Sequence, residues 1–447
     1  MKKVRNAREI ALRILMEVEN GAYADRALGL ALSEVDLDSR DRRLVTELVN
    51  GGLRMRGHID WILNLFARGG IERFAPQVRN CLRLGVYQII FLDKIPDAVA
   101  VNETVVLAKR FGHQGVADFV NAVLRKVVGR GFPYPSLASD PISHISVLYS
   151  HPQWLVRRWV NRSGVEETIE LCQANNRVPD IVLRVNLLQV SLQEAMAVLA
   201  EGGLEPRQGQ YLPGYIHVDQ AGELLRHPTF EKGWFVAQDE SAGLATLLLD
   251  PQPGERVLDL CSAPGGKTVH TAQLMRNQGR IVAVDINGER LGLVDENCRR
   301  LGVEIVETVQ ADGTQLSAEP FDRILVDAPC SGTGVLARRA DARWRKTEKQ
   351  IRELTEVQKR LLDHAAQLLK KNGILVYSTC SIEEEENEDV MGAVLEQHSE
   401  LVVEDAAPFV PKELVGPDRS VRTLPHRHGV DGSFVVRMRK TAQASPS

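Results

Sequence analysis

The chain has 447 residues, more than one hydrophobic core organises, and its 44% hydrophobic residues suffice for two or three buried cores. Six cysteines without paired spacing exclude a disulfide scaffold or a zinc site, and no stretch reaches the ~20 apolar residues of a membrane span. The net charge of −4 conceals an asymmetry: residues 1–130 carry 21 Lys and Arg against 15 Asp and Glu, so a basic first third precedes an acidic remainder.

Met1-Lys2-Lys3-Val4-Arg5 has the charge of a signal-peptide start, but Arg8, Glu9, Arg13, Glu17 and Glu19 interrupt every apolar run that follows, which points to a soluble cytoplasmic protein. Ile10, Ile14, Leu15 and Val18 recur at helical spacing, as do Val45, Leu48 and Val49, so residues 1–130 predict consecutive amphipathic helices. Gly129-Arg130-Gly131-Phe132-Pro133-Tyr134-Pro135-Ser136 then reads as a linker, placing a first helical domain at 1–140. Its basic balance fits a polyanion such as nucleic acid, and equally an ordinary solvated helical surface.

Residues 141–236 read as a small α+β module: a helix around Trp154 to Val160, a strand Ile181-Val182-Leu183-Arg184-Val185, a helix near 191–201 and short strands after it. Trp154 and Trp159 lie on an apolar helix face, where a core role is commoner than stacking on a base. From 237 to 447 strands and helices alternate. Strands are expected at 256–260, 280–285, 305–309, 323–327 and 373–378, with a long helix from Glu348 to Lys371 that Asn372-Gly373 ends. Such alternation predicts an α/β fold with an open parallel sheet covered by helices on both faces. The acidic run Glu383-Glu384-Glu385-Glu386 and a polar tail from Thr441 stand apart from it.

Ligands of open α/β sheets sit beyond the strands' carboxyl ends. The first such loop is Cys261-Ser262-Ala263-Pro264-Gly265-Gly266-Lys267, whose glycines let backbone approach a nucleotide-like cofactor and whose following helix offers amides to a carboxylate. Asp285 ends the next strand, where an acid can accept from ribose hydroxyls; Asp312, after the third, can accept from an adenine amino group. Gly266-Lys267-Thr268 imitates a phosphate loop, but Cys261 stands where that motif needs glycine, and a dinucleotide Gly-x-Gly-x-x-Gly is missing as well.

Two further loops carry thiols: Asp327-Ala328-Pro329-Cys330-Ser331-Gly332-Thr333-Gly334 and Ser378-Thr379-Cys380-Ser381. Cys81, Cys172 and Cys298 read as small buried hydrophobes, and Cys261 is balanced between that and a cofactor contact. Cys330 and Cys380 differ, because each follows a strand in a polar loop. A thiolate adding to C6 of a cytosine makes C5 nucleophilic towards an electrophilic methyl group, and a carboxyl group such as Asp327 beside it can stabilise the adduct at N3. Either thiol could be the nucleophile on chemistry alone; the other could assist release.

With Gln238-Asp239-Glu240-Ser241-Ala242 upstream, these motifs resemble, in order and spacing, those of the RNA cytosine-5 methyltransferases of the NOL1/NOP2/Sun family. The resemblance implies a Rossmann-like class I methyltransferase domain over 237–447 that uses S-adenosyl-L-methionine, with Cys380 as nucleophile and Cys330 assisting product release. Phe119 to Arg125 and His151-Pro152-Gln153-Trp154-Leu155 are similar to a bacterial branch of that family. That branch implies a NusB-like first domain, an RNA-recognition-like middle module, and one cytosine of 16S ribosomal RNA, cytosine 967, as target. Asp431-Gly432-Ser433-Phe434 departs from the family's two aromatic residues after Asp-Gly, a difference of local packing. The expected partner is therefore 16S ribosomal RNA, not DNA or a membrane, with the chain a monomer. A noncatalytic RNA-binding assembly factor is the alternative from another class, and a DNA methyltransferase the weaker one; binding alone needs neither thiol nor the cofactor acids.

Overall fold

The computed structural model describes residues 6–67, 69–219 and 228–441, so the Met1–Arg5 start and the tail beyond Thr441 lie outside the described residues. The chain gathers into two compact units, Met1–Val178 with Leu336–Arg345, and Pro179–Val335 with Lys346–Ser447.

The first unit is helical. Its helices include Ala7–Glu19, Ser39–Arg54, Pro76–Phe91 and Gln114–Val127; Asn6 and Asp38 cap the first two, and Pro76 opens the third, where its missing N–H costs nothing. Ile10, Ile14, Leu48, Ile59 and Val120 fill its core, each worth ~1.5–3 kcal/mol when removed from water. Trp159 is 1% exposed in the helix Gln153–Asn176, in keeping with a core role. The excursion Leu336–Arg345 is seated in this unit by its cations. The buried Arg343 donates to Ser150 O (3.1 Å), Asn175 O (3.0 Å) and Asn176 Oδ1 (2.8 Å), while Trp344 Nε1 donates to Leu53 O at 2.7 Å.

The second unit holds two sheets. In the first, β1 (Ile181–Val185), β2 (Arg207–Gln208), β3 (Tyr215–Val218) and β4 (Phe235–Ala237) run antiparallel in the order β2-β3-β1-β4. The second contains β5 (Arg256–Asp259), β6 (Arg280–Asp285), β7 (Val306–Gln310), β8 (Phe321–Asp327), β9 (Leu369–Thr379), β10 (Leu401–Val403), β11 (Val421–Thr423) and β12 (Ser433–Lys440). Its order is β10-β12-β9-β8-β5-β6-β7, with β11 beside β12; β9 to β7 are parallel, and β12 and β10 are antiparallel additions. Val257, Ile281, Ala283 and Leu325 face one core and Leu258, Val282, Val284 and Ile324 the other, which is why these strands read as unbroken apolar runs.

The helix expected to reach Lys371 ends at Leu368. Leu369 instead pairs with Phe321 as the first residue of β9, and the register shift that follows carries Asn372 at φ 62° within the strand. The apolar Leu369 gains burial by joining the sheet, so Asn372 marks an irregularity in a strand, not a helix end. Ser433 is buried, its hydroxyl 2.9 Å from Thr423 Oγ1, while Phe434 packs edge-on against Tyr377; a hydroxyl pair thus fills the place of a second aromatic ring. No helix among the described residues is long and apolar enough to cross a membrane.

Candidate active site

The parallel strands share one carboxyl edge, and the strand order reverses between β5 and β8, the point where an open sheet parts to admit a ligand. The loops singled out in the sequence follow β5, β6, β7, β8 and β9 at that edge.

Beyond β5, Gly265 adopts φ 100° at the entry to the helix Gly266–Leu274, and a Cβ there would lie 3.1 Å from the Val294 backbone, so glycine is required both by conformation and by space. Asp285 ties this loop to β6: its carboxylate accepts from Ala263 N at 3.2 Å and Asn287 N at 2.9 Å. Asp259 Oδ1 and Ser262 Oγ are buried with no protein partner, polar atoms in want of one at the mouth of the glycine loop. Burial pushes the Asp259 carboxyl up to about 7, although Thr268 Oγ1 donates to its other oxygen at 2.7 Å. Ile286, directly after Asp285, is 69% exposed and offers an apolar surface at the same edge. Orphaned polar atoms, a glycine cradle, an acid and an apolar side chain together fit a nucleoside bearing an amino-acid tail. Asp312 is exposed beyond β7, its Oδ1 accepting from Thr314 N (2.9 Å) and Thr314 Oγ1 (2.8 Å); these bonds hold its carboxyl below the usual range.

Lys267, expected with the cofactor loop, turns to the thiol end. Its Nζ donates to Asp327 Oδ2 at 2.7 Å, and Ser378 Oγ donates to Asp327 Oδ1 at 2.8 Å, so Asp327 is fixed from both sides. Burial pushes the Lys267 ammonium down, but Asp327 and then Cys380 outweigh it and hold the group above its ordinary value. Cys330 and Cys380 come together: their sulfur atoms are 3.2 Å apart and both residues are partly exposed. Contact with Cys380, then burial, raises the Cys330 thiol well above its usual range. Cys261 is likewise held neutral by burial, with Asp259 adding to it. Cys81, Cys172 and Cys298 are buried thiols pushed up to about 12, 12 and 11, as small core residues would be.

Two residues of this site escaped the sequence reading. Glu386 was part of an acidic run, yet it is fully buried between the two thiol loops; the hint was its place six residues after Cys380. Arg184 lies in the apolar strand β1, where it is 2% exposed and donates to Gly266 O at 2.9 Å and to Gln238 Oε1, bracing the glycine loop from behind. A charge in the middle of an apolar run was the available signal.

Residues 246–439 match the family described as 16S rRNA methyltransferase RsmB/F, residues 5–129 the NusB family, and residues 151–224 the ferredoxin-like domain of RsmF/B-like methyltransferases. The probable ribosomal RNA small subunit methyltransferase B of Bacillus subtilis is 37% identical over 98% of this chain and 100% of its own length. Among solved structures, PH0851 superposes with a TM-score of 0.86 at 27% identity, covering 98% of this chain and all of the other. NSun6 from Pyrococcus horikoshii with SFG superposes at 0.61 and 25% identity, over 66% of this chain and all of that one.

Proposed function

Because the chain belongs to the ribosomal RNA small subunit methyltransferase B family, an S-adenosylmethionine-dependent group of rRNA methyltransferases, we propose that it methylates C5 of one cytosine in 16S ribosomal RNA, cytosine 967. The observation that carries this reading is the 3.2 Å contact of two thiols at the ends of neighbouring strands β8 and β9, beside the Lys267–Asp327 pair. Methylation of an exposed heteroatom would need no second thiol; C5 of cytosine needs one group to open the ring's π-system and help in restoring it.

In this reading residues 237–447 are the catalytic part, while 1–140 and 141–236 engage RNA. The cofactor would supply an electrophilic methyl group, and the residues that would hold it are Cys261, Ser262, Ala263, Pro264, Gly265, Gly266, Lys267, Asp285, Asp312 and Asp327, with Lys267 and Asp327 joined by a hydrogen bond. Cys380, as thiolate beside the Lys267 ammonium, adds to C6; the C5–C6 π pair becomes available at C5, which takes the methyl group. Asp327, oriented by Lys267 and Ser378, stabilises the adduct by hydrogen-bonding the N3 edge of the ring. Loss of the C5 proton then returns a pair to the ring and expels the Cys380 thiolate, a step Cys330 assists from contact distance. The target must be unpaired or flipped out, since C6 is unreachable within a stacked helix. The same reading makes the protein a cytoplasmic monomer.

The test is to map 5-methylcytosine in 16S rRNA from cells lacking the protein. One modified cytosine is expected to disappear, to return with the intact chain, and not to return with Cys380→Ala. An unchanged modification pattern, or full restoration by that variant, contradicts the reading.

A further inference from the structure

The two thiol loops are separate stretches of chain, joined by direct hydrogen bonds such as Ile382 N to Thr333 Oγ1 at 3.1 Å and by one carboxylate that both loops share. Glu386 Oε1 accepts from Ser331 N at 2.7 Å and from Gln358 Nε2 at 3.1 Å; Oε2 accepts from Ser381 Oγ at 2.5 Å and from Ser331 Oγ. Ser331 follows Cys330 and Ser381 follows Cys380, so each catalytic sulfur is one residue away from a ligand of the same carboxylate. The residues around it complete the clamp. Tyr377 OH donates to Glu386 O at 2.6 Å, Asn387 Nδ2 donates to Ser381 O at 3.0 Å, Gly334 N donates to Cys380 O at 3.0 Å, and Gln358 Nε2 also reaches Pro329 O at 2.9 Å. The Gly334 bond ties one thiol loop to the other, the Gln358 bond ties a loop to the helix Glu348–Leu368, and the Tyr377 and Asn387 bonds fix the turn that carries Glu386.

We propose that Glu386 is the positioning residue that, through Ser331 and Ser381, holds the two thiols in contact and, as the buried acceptor between their loops, disfavours a second negative charge at Cys330. The inference rests on the reading above that Cys380 is the nucleophile. A carboxylate accepting from four donors is acceptor-only, which is the ionised form; burial pushes its carboxyl up and those donors oppose the push. Its negative charge adds to that of Cys380 in disfavouring a thiolate at Cys330, while Lys267, hydrogen-bonded to Asp327, is held charged in part by Cys380. The asymmetry is what the chemistry requires: one sulfur must be a thiolate and its neighbour must not compete with it.

Alkylation of the intact chain without RNA or cofactor tests this. Iodoacetamide labelling of Cys330 and Cys380 is followed against pH by peptide mass spectrometry in the native protein and in Glu386→Gln, which keeps the shape and removes the charge. The labelling midpoint of Cys330 is expected to fall by about one pH unit or more, with Cys380 moving less, and methyl transfer is expected to drop at least about tenfold in kcat without a change in cofactor affinity. If Glu386→Gln fails to fold, Ser381→Ala removes one of the four donors and should move Cys330 in the same direction by a smaller amount. A Cys330 profile unchanged in whichever variant folds overturns the proposal. Because labelling needs no RNA, that result is separate from failure of the methylation reading, which would appear as normal 16S modification with Cys380→Ala.

Discussion

At the scale of single residues, Asp285 joins the cofactor loop to the sheet. It ends β6 and accepts from the Ala263 amide of the glycine loop while Asn287 N caps its other oxygen. Replacing it by alanine loosens the loop and, in the proposed function, removes the acceptor for a ribose. Asp285→Ala should therefore raise the S-adenosylmethionine Kd about tenfold or more, the value of roughly one lost hydrogen bond to a charged group. Titration calorimetry checks this, and unchanged affinity would remove Asp285 from the site. The place of Asp285 at the carboxyl end of β6 was legible in the sequence; its bond to the glycine loop was not. Glu386 was not legible, because four glutamates in a row look like solvated surface until the fold turns one of them inward. The bond of Lys267 to Asp327 was not legible, since its reach across to β8 depends on the pairing of β5 with β8.

At the scale of elements, the helix Glu240–Leu249 and β3 are held by one buried carboxylate. Glu240 accepts from Gln210 N (2.9 Å), Tyr211 N (2.7 Å), Leu212 N (2.7 Å) and His217 Nε2 (2.8 Å). Hydrogen bonding to Glu240 raises His217 above its usual value of 6.5; burial pushes Glu240 up, but His217 and the three amides prevail and hold it below 4.5. The raised His217 contributes stability in full below 6.5, which fades as pH climbs through its folded value. The depressed Glu240 contributes in full above 4.5, which fades as pH falls through its folded value. The stability difference between the native chain and His217→Gln in urea unfolding should thus be largest between pH 4.5 and 6.5 and shrink by pH 8. A difference that grew towards pH 8 would contradict the pairing. The parallel strands and the long helices were readable from periodicity, apart from ends such as Leu368, where a bulged strand replaced the last helical turn; the antiparallel β10, β11 and β12 were not read.

At the scale of the whole molecule, alternation of strands and helices was enough to foresee a parallel sheet, and the position of each motif after a strand was enough to gather them at one edge. Periodicity could not reveal that Leu336–Arg345, six residues after Cys330, leaves the second unit to seat Arg343 and Trp344 in the first. Nor could it bring Cys330 and Cys380, fifty positions apart, to 3.2 Å; that follows only from the parallel pairing of β8 with β9 and the carboxylate between their loops. In the proposed function that meeting of sulfurs produces a transient covalent bond to RNA. The most direct measurement incubates Cys330→Ala and Cys380→Ala chains with 16S rRNA and S-adenosylmethionine and runs each on a denaturing gel. Cys330→Ala should accumulate a slowly migrating protein–RNA adduct and Cys380→Ala should form none, whereas an adduct that persists with Cys380→Ala and vanishes with Cys330→Ala would contradict the assignment of the two sulfurs.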